Sequence, residues 1–345
     1  MARRILWASL ALAPVTALVD LTAHPGKVTL FVLSALSLMP LAWLIGMATE
    51  HAAEHTGPGI GGFLNASFGN APELIIALFA VHDHLPQVVR GSLSGSVISN
   101  LLLVLGVTQL IGPAKGLDRR SLLSQLGLVG IAALAFVPTV VLGYTGHPER
   151  HTVVDTSIPI AVVLLVLYLT VTRGNLQRHQ EQERAAPAAG TWTLAVALGT
   201  LGAATAATAV MSELLVRSLD AFAKAIGASD FFIAVVIVAI VGNAAEHGGS
   251  VVIARAGKMK LATEIAVSSG AQVALLVTPA VMLLSLFFAH QLPLAFRWEE
   301  LVGMAGATVL VTGTVWDGRS SPRKGALLVL AYALVVVGFL AAGNR

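Results

Sequence analysis

The sequence predicts an all-α polytopic membrane protein with eleven transmembrane helices. Of its 345 residues, 56% are hydrophobic and only 11% are Asp, Glu, Lys or Arg, whereas a soluble domain carries about 25% charged residues. The mean hydropathy is +0.83. The chain has no cysteine, which excludes disulfides and thiolate metal sites. A net charge of +3 over so long a chain gives no indication of nucleic-acid binding, so the expected surroundings are the lipid bilayer.

Uncharged runs of about 20 residues mark the predicted helices, because that length of helix crosses the hydrocarbon core. The first run follows two arginines, as in a signal peptide, but it lacks a convincing cleavage site and is interpreted as a retained helix. The eleven runs cover residues 5–21, 28–49, 60–82, 88–111, 121–144, 153–172, 191–213, 230–254, 261–289, 299–316 and 325–343.

The distribution of Lys and Arg predicts the orientation of the chain. With a cytoplasmic N-terminus, 14 of the 21 basic residues lie on the cytoplasmic side and 7 on the other side. Cytoplasmic loops of membrane proteins carry such an excess. We therefore expect a cytoplasmic N-terminus and an outside C-terminus, which agrees with an odd number of helices. The compact chain favours a prokaryotic inner membrane.

An internal repeat is the second main signal in the sequence. Gly69–Glu73 reads Gly-Asn-Ala-Pro-Glu, and Gly242–Glu246 reads Gly-Asn-Ala-Ala-Glu, 173 residues later. The same offset, without gaps, also aligns polar residues of the next predicted helix: Ser96 with Ser269 and Ser99 with Gln272. Two motifs at one offset, each inside a predicted helix, indicate a duplication.

The two copies of the motif enter the membrane from opposite sides. One lies in the third predicted helix and the other in the eighth, five helices later. Because successive helices cross the membrane in opposite directions and five is odd, the second copy is inverted relative to the first. We predict one added helix followed by two inverted repeats of five helices, a fold in which the substrate site lies near the midplane. The predicted division is 1–25 for the added helix, 26–173 for the first repeat, 174–190 for a cytoplasmic linker and 191–345 for the second repeat.

The motifs supply the candidate ion site. Glu73 and Glu246 lie inside apolar helices, where an ionised carboxylate is costly and indicates function. Asn70 and Asn243 lie one turn earlier on the same face, and Gly69 and Gly242 can open the helix and free backbone carbonyls. Carboxylate, amide and backbone oxygens together suit a hard divalent cation such as Ca²⁺. The alternative, a structural ion pair for each Glu, lacks a Lys or Arg within either helix.

The next helix of each repeat offers further polar groups. Small hydroxyl residues in membrane helices commonly serve packing, whereas bulkier amides more readily face a cavity. The candidate ligands here are Ser96, Asn100, Ser269 and Gln272, with Ser99 as a supporting residue.

Three charged or titratable residues are candidates for supporting or gating roles. His247 follows Glu246 directly and points about 100° away on a helix, which favours an indirect role. Glu50 and Glu213 lie near helix ends and could form a cation-attracting mouth. A solvated surface position is the alternative for both glutamates.

The motifs resemble those of a known family. Residues 62–75, Gly-Phe-Leu-Asn-Ala-Ser-Phe-Gly-Asn-Ala-Pro-Glu-Leu-Ile, are similar to the first signature repeat of the Ca²⁺/H⁺ exchangers, a branch of the Ca²⁺/cation antiporter superfamily. Residues 240–247 resemble the second signature repeat, and residues 91–102 and 268–275 resemble the helices that follow. The resemblance implies export of cytosolic Ca²⁺ in exchange for H⁺, with Glu73 and Glu246 as the two carboxylates that bind either Ca²⁺ or protons. It implies no bound cofactor.

Several alternatives stay open at this point. Pro72 stands where this branch more usually has an apolar residue such as Val, and proline there is typical of Na⁺/Ca²⁺ exchangers, so a Na⁺-coupled or K⁺-coupled exchanger is possible. An ion channel is a further alternative. His51, Glu54 and His55 match the H-x-x-E-H pattern of zinc peptidases, although Thr56-Gly57-Pro58-Gly59 is expected to end that helix. The sequence leaves the oligomeric state and the selectivity among Ca²⁺, Mn²⁺ and Cd²⁺ open.

Overall fold

The computed structural model describes residues 2–145, 147–180 and 192–343, and within these ranges the chain is helical apart from its connecting loops. Sixteen α-helices and three π-helical segments are present in the described ranges. In chain order they are α1 Ala2–Ser9, α2 Leu12–Ala23, α3 Lys27–Gly69, α4 Ala71–His82, α5 Pro86–Ile98, π1 Ser99–Val104, α6 Leu105–Ile111, α7 Arg119–Tyr144, α8 His151–Gln180, α9 Leu194–Ile226, α10 Asp230–Phe232, π2 Ile233–Val238, α11 Ala239–Gly242, α12 Ala244–Arg255, α13 Met259–Gln272, π3 Val273–Val277, α14 Thr278–Ser285, α15 Trp298–Val315 and α16 Pro322–Ala342.

The helical membrane fold predicted from the sequence is confirmed, but the count of eleven spans is not. Eight helical stretches of the described chain are long and apolar enough to cross a membrane, and a ninth is the pair Asp230–Gly242 and Ala244–Arg255, bent by 55°. The predicted span 299–316 coincides with α15, whose first turn carries Glu299 and Glu300. The predicted span 60–82 is divided between the end of α3 and the 12-residue α4.

The sequence predicted a break in the helix between residues 49 and 60, and this prediction is wrong. Helix α3 continues through this segment as one helix of 43 residues, and the expected stop at residues 56–59 does not occur. Ala and Glu at residues 50–54 favour the helix, whereas Gly57, Pro58 and Gly59 do not, so local propensity does not explain its continuation through them. Loss of hydrophobicity marks a change of environment, and it does not by itself end a helix. The actual break comes later, at Asn70.

Four helix starts follow local capping chemistry. The side chains of Asp118, Thr193, Ser229 and Ser321 each accept a hydrogen bond from a backbone N–H in the first turn of the helix that follows. These bonds satisfy amides that have no partner within the helix. At the other end of α9, Gly227 adopts a φ of 71°, a left-handed conformation that glycine tolerates without strain.

The long helices α3 and α9 pack along each other and join the two halves of the chain. The rings of Phe31 and Phe222 stack at this interface with their centroids 4.2 Å apart. Helix α5 lies at the centre, because every residue from Val88 to Ile98 is buried. On the outside, apolar side chains of α8 and α16 such as Val163 and Leu334 are exposed, as a lipid-facing surface requires.

Two of the π-helical segments occupy matching places in the two halves. Segment π1 begins at Ser99, and the 173-residue offset places Ser99 on Gln272, directly before π3. A π-helical turn widens the helix and is frequent at functional sites. The same irregularity at equivalent positions of both halves is a structural repeat, and it lies beside the polar residues that the sequence singled out.

Gly95 permits the closest helix contact in this core and provides a test of the packing. A Cβ atom at this position would overlap the backbone of Val235 in π2. We expect Gly95→Ala to force the two elements apart and to cost about 1–3 kcal/mol of stability, the range for overpacked cores. The melting temperature in detergent should fall. In the control Gly127→Ala, the added methyl meets nothing within 4 Å, and a better helix former should leave stability equal or higher. Equal melting temperatures for both variants would contradict this packing.

Candidate functional site

The site is built on two helix breaks, one in each half of the chain. The backbone leaves the helical conformation at Asn70, with φ −103° and ψ 19°, and at Asn243, with φ −88° and ψ 15°. A new helix begins one residue later in each case, so Glu73 and Glu246 both lie in the first turn of a helix. The positive end of a helix dipole stabilises negative charge there. The break is thus a single asparagine, with the predicted glycine directly before it.

Glu73 is enclosed at the centre of the protein. Its side chain is only 6% exposed, and neither carboxylate oxygen has a hydrogen-bond partner among the described residues. It borders a cavity of about 10 Å³ that is also lined by Ile76, Ser92, Leu93, Ser96, Val238 and Gly242. This volume is close to the minimum for one water molecule or a bare ion. Burying a carboxylate without a partner is costly, which marks this position as functional.

The second motif meets the first at this cavity. Gly242 lies against Glu73, and a Cβ atom at Gly242 would come within 3.3 Å of the Glu73 Cγ and 3.4 Å of its Oε1. The glycine therefore lets the carboxylate lie close to the other half of the chain without a tight contact to a side chain. The structure thus places Glu73 against Gly242 of the second motif, four residues before Glu246. Glu73 is buried and Glu246 is half-buried.

The first asparagine is held by a residue of the opposite half. The Asn70 Nδ2 donates to the Gln272 Oε1 over 2.7 Å. Gln272 is the last residue of α13, directly before π3. This hydrogen bond therefore joins the helix break of the first half to the polar face of the second half.

The second asparagine forms the matching contacts in the other direction. The Asn243 Nδ2 donates to the Ser96 Oγ over 2.7 Å and to the Ala239 carbonyl over 2.9 Å. The Asn243 Oδ1 accepts from the Asn100 Nδ2 over 2.8 Å, and Asn100 also lies 3.3 Å from the Ser269 Oγ. All the amide and hydroxyl residues that the sequence proposed as ligands, except the supporting Ser99, thus belong to bonds that cross between the halves.

These contacts change how the predicted ligands are interpreted. The side-chain amides of Asn70 and Asn243 bind other side chains across the interface, which is a structural role. A carbonyl oxygen has two lone pairs, so Asn243 Oδ1 retains one acceptor position beyond its bond to Asn100. Ligation by the asparagines stays a prediction.

The remaining candidates lie at different distances from the site. Ser99 is buried and donates to the Ser96 carbonyl of its own helix. His247 lies half-buried on α12, next to Glu246. Glu213 is about half exposed and pairs with Arg217 over 3.4 Å, one turn along α9, and Glu50 is exposed on α3. The structure does not bring these two glutamates to the site: both lie inside long helices, α3 and α9, on positions that are exposed or half exposed.

The zinc-peptidase pattern does not form a metal centre. His51 Nδ1 lies 4.0 Å from Glu54, and the His55 Nε2 contacts the Trp192 carbonyl over 2.6 Å. No group of three or more His, Cys, Asp or Glu side chains with metal-binding geometry occurs in the described ranges. These residues instead pack the start of α9 against α3, with the His51 ring 4.7 Å from the Trp192 ring.

The sequence interpretation missed a second buried carboxylate. Glu300 in α15 accepts hydrogen bonds from the Ser94 Oγ over 2.7 Å and from the Arg297 backbone N–H over 2.5 Å. The Arg297 guanidinium lies 4.2 Å above the Phe231 ring and donates to the carbonyl of Gly343. The one signal for Glu300 in the sequence was its position at the edge of a predicted span. Glutamates are also common at exposed helix ends, so this position did not indicate a buried carboxylate.

Comparison with known proteins identifies the family to which this architecture belongs. The model of the sodium/calcium exchanger protein family matches residues 27–175 and 196–341. The Ca²⁺/H⁺ antiporter ChaA of Bacillus subtilis is 37% identical over 329 residues, covering 92% of this chain and 93% of that protein. The chain belongs to the Ca²⁺/H⁺ exchanger family. It is therefore an integral, multi-pass transporter.

Solved structures show the same fold. The structure of native YfkE superposes on this exchanger with a TM-score of 0.84 and 34% identity, covering 98% of this chain and 99% of that one. A crystal structure of the H⁺/Ca²⁺ exchanger CAX has a TM-score of 0.74 at 16% identity, with 99% and 92% of the two chains covered. At that identity the likeness shows the fold alone.

The hydrogen bonds of Asn243 predict a structural effect of its removal. Asn243→Ala leaves the Asn100 amide and the Ser96 hydroxyl without their partner in a buried place, which costs about 1–3 kcal/mol for each unsatisfied group. We expect a clearly lower melting temperature of the purified exchanger. Ser99→Ala is the matched control, because the Ser99 hydroxyl bonds only to its own helix, and its effect should be small. A loss for Ser99→Ala as large as for Asn243→Ala would contradict the network.

Proposed function

We propose that this exchanger moves Ca²⁺ across the membrane in exchange for H⁺ by alternating access. Glu73 and Glu246 would bind either the Ca²⁺ ion or protons. The observation that carries the proposal is the buried Glu73 carboxylate beside a cavity of ion size, which Gly242 of the second motif also lines. The relatives named Ca²⁺/H⁺ antiporters support the choice of ions.

The chemistry of exchange follows from the cost of charge inside the protein. Two ionised carboxylates with one Ca²⁺, or two protonated carboxyls, form a nearly neutral site. The ionised pair without a cation carries two negative charges in a low-dielectric environment and is expensive. A protein that changes its access only in the neutral states must exchange Ca²⁺ for protons. Oxygen ligands from Ser92 and Ser96 are close enough to contribute, since both line the same cavity as Glu73.

The burial of the two glutamates favours access from one side. Glu73 is buried, whereas Glu246 and the three residues after it in α12 are half-buried or exposed. Helix α12 continues from Glu246 to Arg255 and the lysine-rich loop after it, and these basic residues indicate the cytoplasmic side. With the N-terminus in the cytoplasm of a prokaryotic cell, this conformation would admit ions from the cytoplasm.

The coupling ion is the point on which the proposal can fail. Pro72 is typical of Na⁺-coupled relatives, so a Na⁺-driven or K⁺-driven exchanger is the second candidate. We expect an imposed proton gradient to drive ⁴⁵Ca²⁺ uptake into proteoliposomes. An imposed Na⁺ or K⁺ gradient of equal size, with pH clamped on both sides, should give only the background of protein-free vesicles. Uptake driven by Na⁺ or K⁺ at clamped pH would overturn proton coupling.

Neutral glutamine variants test the carboxylate pair. Glu73→Gln and Glu246→Gln keep the side-chain volume but remove the charge, and each should reduce proton-driven Ca²⁺ uptake to background. In the wild type the apparent Ca²⁺ affinity should fall as pH decreases, because protons and Ca²⁺ compete for the same oxygens. Binding calorimetry over a pH series measures this dependence.

Glu213→Gln is the matched control for these variants. Its carboxylate is half exposed and pairs with Arg217, so its uptake should stay near the wild-type level. Uptake retained by Glu73→Gln or Glu246→Gln at normal expression would refute the two-carboxylate mechanism. The same result for Glu213→Gln as for the site variants would show that the assay reports general damage.

A further inference from the structure

A lysine-lined cavity lies apart from the ion site, on the face where three loops meet. The cavity holds about 500 Å³, and Lys115, Lys258 and Lys260 line it together with Gly116, Gly257 and Leu261. We propose that this cavity binds the phosphate headgroup of an anionic membrane lipid. The inference concerns a second site and does not depend on the proposed exchange reaction.

The charge of this cavity is not neutralised by the protein. Lys258 and Lys260 are exposed, and neither forms an ion pair among the described residues. Lys115 donates one hydrogen bond to the Gly257 carbonyl over 3.0 Å, and its ammonium group has two further protons to donate. Three ammonium groups around one cavity repel each other, and a phosphate between them relieves that repulsion.

The acidic residues of the neighbouring loops are already engaged. The Asp118 carboxylate accepts from the Ser121 N–H over 3.1 Å at the start of α7. The Asp317 carboxylate accepts from the Lys324 Nζ over 2.6 Å. Among the described residues, the cavity lysines form no ion pair with these two carboxylates or with Glu264, which lies one helical turn after Lys260.

Backbone hydrogen bonds hold the cavity in its shape. The Leu117 N–H donates to the Gly318 carbonyl over 2.7 Å, and the Ser320 N–H donates to the Lys115 carbonyl over 2.9 Å. Gly257 has a φ of 79°, a conformation that favours glycine, and it turns its carbonyl toward Lys115. A site formed before its ligand arrives loses less entropy on binding.

The surroundings indicate a lipid headgroup rather than a dissolved phosphate. Trp316 is 59% exposed and lies under the Arg119 guanidinium at 4.6 Å, an arrangement typical of the level where membrane meets water. Leu261 in the cavity wall is 46% exposed, and Val252 nearby in sequence is 68% exposed. Basic pockets bordered by apolar surface at the cytoplasmic side bind anionic lipid headgroups.

The test measures lipid binding to the full-length protein in a nonionic detergent, without an ion gradient. The probes are phosphatidylglycerol, phosphatidylcholine with matched acyl chains, and inorganic phosphate, followed by native mass spectrometry and by the shift of the melting temperature. We expect selective binding of phosphatidylglycerol. The double variant K258Q/K260Q should weaken it roughly tenfold or more, since each lysine near an anionic surface contributes measurably. K258R/K260R keeps the charge and should retain binding.

Lys224→Gln is the matched control, because Lys224 is an exposed lysine that pairs with Asp220 far along the chain from the cavity, and its lipid binding should be unchanged. Phosphatidylglycerol binding by K258Q/K260Q at the wild-type level would overturn the proposal, and so would equal binding of the two lipids. Stabilisation by inorganic phosphate equal to that by phosphatidylglycerol would identify a phosphate site and refute the lipid assignment. Should K258Q/K260Q lose its monodisperse elution profile, the single variants K258Q and K260Q replace it, with the same criteria.

Discussion

A helix that breaks inside a membrane must find partners for its polar groups within the protein, because lipid offers none. This constraint organises the exchanger. At Asn70 and at Asn243 the chain leaves the helix, and each asparagine reaches the polar face of the other half: Gln272 in one case, Ser96 and Asn100 in the other. The side chains at the breaks therefore join the halves, and the joined halves place Glu73 beside Gly242.

Close packing around α5 makes this geometry possible. Gly91 and Gly95 allow α5 to lie almost in contact with the backbone of α10 and π2, and a side chain at Gly95 would overlap Val235. The π-helical turn that follows α5 contains Asn100, and the turn that follows α13 begins directly after Gln272. Regular helices of the same length would present those residues at different angles. The irregular turns are thus part of the geometry that aims Ser96, Asn100 and Gln272 at the breaks.

Features that repeat along the chain could be predicted in part from the sequence. Apolar run length predicted a helical membrane fold but not the number of spans, and the 173-residue offset predicted that the two motifs meet, as Gly242 and Glu73 do. Contacts between helices could not be predicted in the same way, since periodicity describes one helix at a time. For that reason the pairing of Asn70 with Gln272 went unrecognised, and so did the pairing of Ser94 with Glu300. The continuous α3 was missed because hydropathy follows the environment, whereas helicity follows backbone hydrogen bonds.

The two carboxylates on either side of α5 differ in the property that the proposed transport role of Glu73 requires. Ser94 faces Glu300, while Ser92 and Ser96 face the cavity of Glu73. Both carboxylates are buried, so burial alone does not distinguish them. Glu300 has its oxygens occupied by a hydroxyl and a backbone N–H, and it caps the start of its own helix. A cation that binds Glu300 would have to displace these hydrogen bonds. Glu73 has no such hydrogen-bond partner among the described residues, so a cation or a proton can bind it without breaking the fold, and that is the property that repeated exchange requires.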